Sequence, residues 1–176
     1  MPSAPTEDDA NAPIYDVTSS GSTGGQVTPI FYQLNDVFIP LYYYYKPANN
    51  NDDLKEEVAL HNFTLYYDQA TDFNGSTMTL HLRHKIQDFD EEDNKERTSR
   101  AYEFRHFSLA APLYAYKDVN GGKNPDKIVI EFEQNTYNAE YNEDNVKSET
   151  YEIDYKTVVE NYNKLAGNTS GSEVTE

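Results

Sequence analysis

The stretch DVFIPLYYYY, residues 36–45, contains the clearest strand signal of the chain. Apolar side chains recur at every second position, and successive side chains of a strand point to opposite faces. One predicted face carries Val37, Ile39, Leu41, Tyr43 and Tyr45. The other carries Phe38, Pro40, Tyr42 and Tyr44. Because proline cannot donate a ladder hydrogen bond, Pro40 predicts that this strand lies at a sheet edge or carries a bulge.

The same alternation continues along the chain in the segments LHNFTLYYD, TMTLHLRHKI, RAYEFRHF, PLYAYKD, KIVIEFEQ and ETYEIDY. Turn-forming clusters such as DFNGS, DFDEEDN and DVNGGKNPD separate them. Strands of this length with turns between them are typical of β-sandwiches and barrels. The sequence therefore predicts a mainly β fold, an antiparallel β-sandwich or jelly-roll-like barrel.

Helical spacing is restricted to two segments. DDLKEEVAL predicts a short helix with Asp52 or Asp53 as its N-cap. YKTVVENYNKLAG has apolar residues at helical intervals, and Gly167 is placed as its C-terminal stop. We therefore expect one or two short helices beside the strands.

The length of 176 residues fits one domain with tails. Residues 1–28 and 167–176 are rich in Pro, Ser, Gly and acidic residues, a composition that buries little apolar surface. The sequence predicts a flexible N-terminal tail at 1–28, a β-sandwich core at 29–166 and a flexible C-terminal tail at 167–176. The first residues lack the basic start and apolar core of a signal peptide, which leaves open a leader removed earlier.

The charge and composition exclude several classes of function. The chain has 31 acidic and 14 basic residues, a net charge of −17, which argues against general binding to nucleic-acid phosphates. No apolar run reaches the roughly 18 residues of a membrane span, so membrane insertion is not predicted. The absence of cysteine excludes disulfides and thiolate metal sites. Neither a nucleophile elbow nor a phosphate-binding glycine loop is present, so we expect a non-catalytic protein without a cofactor.

Two patterns in the sequence weakly resemble metal sites. If residues 77–87 and 101–108 form a hairpin with 83 opposite 105, His84 and His106 become diagonal neighbours, although zinc needs further ligands. The loop 118–126 begins like a calcium loop, with Asp118 and Asn120 as candidate ligands. Gly122 stands where an acid should follow, and Asn120 with Gly121 also suits a hairpin turn. A structural calcium ion is therefore left open.

The same hairpin would place Arg83, Lys85 and Arg105 on its outer face. Segment 131–154 carries eight acidic residues and one lysine. Two such patches predict a head-to-tail contact between copies, steered by charge. Tyr42 and Tyr44, on the outward face of their strand, are the candidates for its buried centre, since tyrosine is enriched in interface cores.

These features favour a structural protein that assembles with its own copies or with another assembly protein. A virion or surface-appendage subunit is the expected type, located in a virion or at the extracellular surface. The alternative is a cell-surface carbohydrate-binding module, because exposed aromatic rings suit sugars. The absence of tryptophan weakens that alternative.

Overall fold

The structure is a computed structural model that describes residues 9–20 and 25–169. With 41% strand and 25% helix the fold is mainly β, as the sequence predicts. The described strands are β1 (Ser19–Ser20), β2 (Gln26–Val27), β3 (Ile30–Gln33), β4 (Asp36–Tyr45), β5 (His61–Tyr66), β6 (Phe73–Asn74), β7 (Thr77–Ile86), β8 (Ser99–Ser108), β9 (Lys127–Gln134) and β10 (Lys147–Asp154). The described helices are α1 (Asn51–Leu60), α2 (Glu91–Lys95), α3 (Ala110–Val119) and α4 (Tyr155–Thr169).

The strands form two main sheets. In sheet A the order is β10-β9-β7-β5, with β6 paired to β7, and in sheet B it is β3-β4-β8. Strands β1 and β2 form a separate two-stranded ribbon. Most pairs are antiparallel, as the sequence predicts, and β7 and β9 run parallel. The more specific sandwich or jelly-roll prediction is not confirmed.

The two sheets share one hydrophobic core. Strands β4, β7 and β9 each contribute alternate side chains to it, and α3 and α4 add Leu113, Tyr116 and Tyr155. On β4, four of the five predicted inward side chains are completely buried: Val37, Ile39, Leu41 and Tyr43. The period-two pattern therefore identified the core face of β4 correctly.

The edge prediction for β4 is wrong, because β4 is the central strand of sheet B. Strand β3 reaches only to Ile30, opposite Phe38, and the next neighbour on that side is Asp16, opposite Tyr42. Pro40 lies between these two partners. A residue without an N–H group is tolerated there because the ladder is interrupted at that point.

Residues 11–17, called the N-terminal strap, connect the two sheets. Ile14 donates its backbone N–H to Glu133 of sheet A at 2.8 Å, and Tyr15 donates to Tyr42 of sheet B at 2.8 Å. Ile14 is 1% exposed, and Ala12 and Val17 are also buried. The predicted flexible tail at 1–28 is therefore wrong for the strap. Residues 1–8 and 21–24 lie outside the described part of the chain.

The helices depart from the prediction at three points. The N-cap of α1 is Asn50, whose side chain accepts hydrogen bonds from the backbone of Asp52 and Asp53. Segment PLYAYKD belongs to α3 and not to a strand, since its buried residues Pro112, Leu113 and Tyr116 follow helical spacing. Helix α4 continues through Gly167 to Thr169, so the predicted stop is wrong. Residues 170–176 lie outside the described part.

Replacing Ile14 tests whether the strap belongs to the core. Ile14→Ala should lower the free energy of unfolding by about 2–4 kcal/mol, because it leaves a cavity in a packed interior. Ile30→Ala is the control, since Ile30 is 54% exposed and its truncation should cost about 0.5 kcal/mol or less. Urea denaturation of the two variants and the wild type measures both values. Equal stability of all three would show that the strap contributes little.

Candidate functional site

The outward surface of sheet B carries a cluster of exposed apolar side chains. Strand β8 alternates strictly between half-buried and exposed residues, and its exposed side includes Tyr102 at 42% and Phe104 at 40%. Strands β3 and β4 add Ile30 and Phe38, and Tyr42 lies half-buried beside them. We call Ile30, Phe38, Tyr42, Tyr102 and Phe104 the aromatic face.

Three rings of the aromatic face, those of Tyr42, Tyr102 and Phe104, are in contact. Tyr42 and Tyr102 are directly opposite in the β4–β8 ladder and stack with ring centroids 4.5 Å apart. Tyr102 meets Phe104 edge-on at 5.7 Å. The arrangement is fixed by the strands rather than by flexible loops, so the surface is preorganised for contact with another molecule.

Polar groups border the aromatic face. The Arg100 guanidinium lies over the Tyr15 ring, 4.6 Å from its centroid. At the other end, His106 stacks near Phe38 and bonds Asp36 at 2.7 Å. An apolar centre with a polar border is the usual composition of a protein–protein contact.

The two predicted interface tyrosines have different positions. Tyr42 is part of the aromatic face, packed between Tyr15 and Tyr102. Tyr44 is only 6% exposed, because its hydroxyl donates to the carbonyl of Asn135 inside the fold. Tyr44 is therefore a structural residue, and its prediction as an interface residue is wrong.

The predicted basic patch of Arg83, Lys85 and Arg105 does not form, because β7 and β8 belong to different sheets. Arg83 is 8% exposed and bonds Glu131 at 2.7 Å and Glu133 at 3.3 Å within the same sheet. Exposed Lys85 pairs with Asp9. Arg105 bonds Glu103 on β8 and donates to the His61 carbonyl at 2.7 Å. The acidic segment 131–154 thus partly neutralises Arg83 in its own chain.

The predicted metal ligands are also separated. His84 is buried inside the fold, whereas His106 lies exposed at the edge of the aromatic face. Asp118 belongs to the last turn of α3, and Asn120 caps that helix by donating to the Tyr116 carbonyl. Within the described residues, no group of three or more His, Asp or Glu side chains is arranged to hold a metal ion.

A chain of buried polar groups fills the space between the sheets. His84 Nδ1 lies 2.9 Å from the Pro13 carbonyl, and His84 Nε2 lies 2.8 Å from His61 Nδ1. His61 Nε2 then meets Glu57 at 3.1 Å, and Arg97 donates to Glu57 at 2.8 Å. A carbonyl accepts only, so Nδ1 of His84 carries a proton and Nε2 accepts from His61.

The two imidazoles of this chain both have lowered pKa values. Burial lowers the pKa of His84 well below its usual value, and the neighbouring His61 lowers it further. Burial also lowers the pKa of His61, although Glu57 opposes that shift. His61 and His84 are 1% and 2% exposed, so neither imidazole can reach a substrate in bulk solvent.

His81, on the outer surface of sheet A, has a raised pKa, in contrast to His61 and His84. Its ring bonds Glu131 at 2.8 Å and Asp72 at 3.0 Å, and these carboxylates raise its pKa against the effect of burial. Burial alone would raise the pKa of Glu131, but hydrogen bonds from His81, Arg83 and Ser148 lower it to about 2. The cluster is an internal charge network.

A small cavity of about 310 Å³ lies where α2 meets loop 135–141. Two buried polar atoms there have no hydrogen-bond partner among the described residues: Asn94 Oδ1 and Arg97 Nη1. The first accepts and the second donates, and both residues line the cavity. Tyr137, which is 91% exposed, forms part of the wall.

A solved structure from Bacteroides fragilis resembles this chain. It is described as a "Putative lipoprotein", and the two folds superpose with a TM-score of 0.77 at 28% sequence identity. The match covers 89% of this chain and 67% of the other. No family model matches the chain, and a search of curated proteins gives no match. None of the helices in the described residues is long and apolar enough to cross a membrane.

Sequence reasoning missed Tyr102 and Phe104. The alternation in RAYEFRHF placed them together on one side, but the assumed hairpin with β7 assigned that strand to the wrong sheet. The sequence could have indicated the pairing of β4 with β8, because each strand carries aromatic residues on one face and aromatic cross-strand pairs stabilise sheets.

The pKa values of His84 and His81 are shifted in opposite directions, and this difference can be tested. A His with a lowered folded pKa loses stability as pH falls through its unfolded value of about 6.5, whereas one with a raised folded pKa gains stability as pH falls from that raised value to about 6.5. Between about pH 8 and 5.5, His84→Gln should therefore flatten the loss of stability below about pH 6.5, and His81→Gln should remove the gain of stability that the wild type obtains from His81 above it. Denaturant titrations across this range give the slope of the free energy of unfolding against pH. A loss of stability that is the same at every pH does not affect that slope. Identical slopes in the two variants would contradict the assigned shifts.

Proposed function

We propose that this protein is a non-catalytic, cell-surface protein that associates with its own copies through the aromatic face. The observation that carries the proposal is the contiguous set of exposed rings on sheet B. Contiguous apolar patches on a folded surface are typical of interaction sites, whereas scattered exposed residues are not. The resemblance to the Bacteroides fragilis protein supports a location at the cell surface.

The absence of catalysis is part of the proposal. The two imidazoles with lowered pKa values, His61 and His84, are sealed between the sheets and bonded to one another. A general acid or base must come within hydrogen-bond reach of a substrate proton. The buried histidine chain is therefore assigned to holding the two sheets together.

Apolar burial, not charge attraction, would supply the affinity. The predicted basic patch is absent, so two copies with a charge of −17 repel one another. Salt screens that repulsion, with a Debye length of about 10 Å at 0.1 M. Association through the aromatic face should therefore strengthen as salt rises, which is opposite to a contact steered by complementary patches.

Serine substitutions at the centre of the face test the proposal. Tyr102→Ser/Phe104→Ser should weaken self-association about 10-fold or more, because burying the exposed two fifths of each ring is worth roughly 0.6–1.2 kcal/mol. Tyr114→Ser is the matched control, since Tyr114 is 66% exposed on α3 and outside the aromatic face. Light scattering after size exclusion, over a range of protein and salt concentrations, measures the association. A wild type that stays monomeric at high concentration and high salt would refute self-association.

The cavity beside Asn94 supports a second candidate function, sugar binding. A single hydroxyl can accept from Arg97 Nη1 and donate to Asn94 Oδ1, the two buried groups without partners in the described chain. The exposed Tyr137 ring could cover the apolar side of a sugar. A buried unpaired group costs about 1–3 kcal/mol, so a ligand or a water molecule that satisfies both is favoured.

Titration with monosaccharides distinguishes a sugar from a water molecule in the cavity beside Asn94. Glucose, galactose, mannose and N-acetylglucosamine, each up to about 50 mM, should shift backbone amide signals of residues 94–98 and 137–140 if a sugar binds. Tyr137→Ala should abolish the shifts, whereas Tyr32→Ala, at another exposed tyrosine that lies on β3 away from the cavity, should retain them. An absence of shifts with all four sugars would assign the cavity to water and reject the sugar-binding function.

A further inference from the structure

Strand β8 forms one edge of sheet B. It pairs with β4 along its whole length, from Ser99 opposite Tyr45 to Ser108 opposite Asp36. Within residues 9–20 and 25–169, no strand pairs with its other side. The open edge is therefore ten residues long.

The backbone groups that face the open edge can be identified. Tyr42 donates its N–H to Asp16, away from β8, so its pairing with Tyr102 is of the type without mutual hydrogen bonds. Alternation then directs the N–H and C=O groups of Arg100, Tyr102, Phe104 and His106 away from β4. Pro40 fits this pattern, because it lies opposite Phe104 and has no N–H to offer.

The open edge lacks three of the features that commonly protect edge strands, although it carries charged side chains. Proteins protect edge strands with prolines, bulges, very short length or charged residues. Strand β8 has no proline and its register with β4 is unbroken over ten pairs. By contrast, β3 at the opposite edge of sheet B has four residues and a shift in register.

We propose that two copies of this protein pair through β8, antiparallel, about a two-fold axis at Phe104. Sheet B would then continue across the dimer as six strands, and the two aromatic faces would join into one. This inference rests on the proposed self-association and specifies its geometry. An isologous contact of this kind closes at two subunits, unlike a head-to-tail contact.

Charge selects the position of the axis. An axis at Glu103 would place Glu103 opposite its own copy, and an axis at Arg105 would do the same for Arg105. Like charges directly opposite destabilise a sheet. An axis at Phe104 instead places each Glu103 opposite the Arg105 of the other copy, so the Glu103–Arg105 pair within each copy also meets opposite charges across the interface.

The neighbouring alternative is weaker. An axis at Tyr102 sets Glu103 opposite Ala101 and Arg105 opposite Ser99, so no ion pair crosses the interface, and fewer residues of β8 overlap. With the axis at Phe104, the two Phe104 rings face one another and each Tyr102 faces the His106 of the other copy. A hollow of about 450 Å³ beside Arg105, between α1 and β5, leaves room for inward-facing side chains of the second copy.

Single cysteine substitutions can report the position of the two-fold axis through disulfide formation, because the chain contains no other cysteine. In the proposed dimer the two Phe104 Cα atoms form a hydrogen-bonded pair about 5.5 Å apart, within disulfide reach. The two Tyr102 Cα atoms are separated by four residues along the strand, about 14 Å, which is too far. Phe104→Cys should therefore form covalent dimers under mild oxidation, and Tyr102→Cys should not.

Further variants complete the experiment. An equimolar mixture of Tyr102→Cys and His106→Cys should cross-link into mixed dimers, because these positions face one another. Tyr114→Cys, on α3, reports disulfides formed by random collision. Non-reducing gels and intact mass measure each product, and light scattering of the wild type is recorded in parallel.

The outcomes separate the two proposals. Association of the wild type without cross-linking of Phe104→Cys above the Tyr114→Cys level overturns β8 pairing and leaves the aromatic-face proposal intact. Cross-linking of Tyr102→Cys in place of Phe104→Cys overturns the axis at Phe104. A monomeric wild type overturns both.

Discussion

The structure depends on one backbone connection, the N-terminal strap between the two sheets. Its residues bond Glu133 in sheet A and Tyr42 in sheet B within two positions of one another, and Ile14 and Val17 fill the core at the crossing. The strap occupies the side of β4 that β3 leaves uncovered beyond Phe38. The strap therefore accommodates Pro40, because the ladder on that side of β4 is interrupted at the residue that lacks an N–H group.

The strap also completes the polar chain between the sheets. The Pro13 carbonyl accepts from His84, and the chain then runs through His61 to Glu57 and Arg97. Tyr43 of sheet B packs against both imidazoles from above, with ring centroids 4.7 and 5.5 Å away. Buried polar groups of this kind are stable only when their hydrogen bonds are satisfied, so the arrangement requires the strap, α1 and both sheets to be in place together.

The distribution of charge explains why the aromatic face is the strongest interaction candidate. The arginines of sheet A and the buried interior are engaged with carboxylates of the same molecule, as Arg83 is with Glu131 and Arg97 with Glu57. Little cationic surface remains to attract a partner to a strongly acidic protein. Tyr102 and Phe104 of sheet B instead keep about two fifths of their surface exposed, and they lie beside the open edge of β8.

The sequence by itself determined the mainly β class, the inward faces of β4 and β7 and the existence of α1 and α4. These are local properties, since strand and helix periods are written into consecutive residues. It could not determine which strands are neighbours, because RAYEFRHF pairs equally well by pattern with β7 or β4. Only the tertiary structure assigned β8 to sheet B, and with it separated Arg83 from Arg105 and His84 from His106. The strap was missed for the same reason: ANAPIYDV is a short segment between acidic and Ser/Gly-rich stretches, and Ile14 and Val17 become core residues only because two sheets close around them.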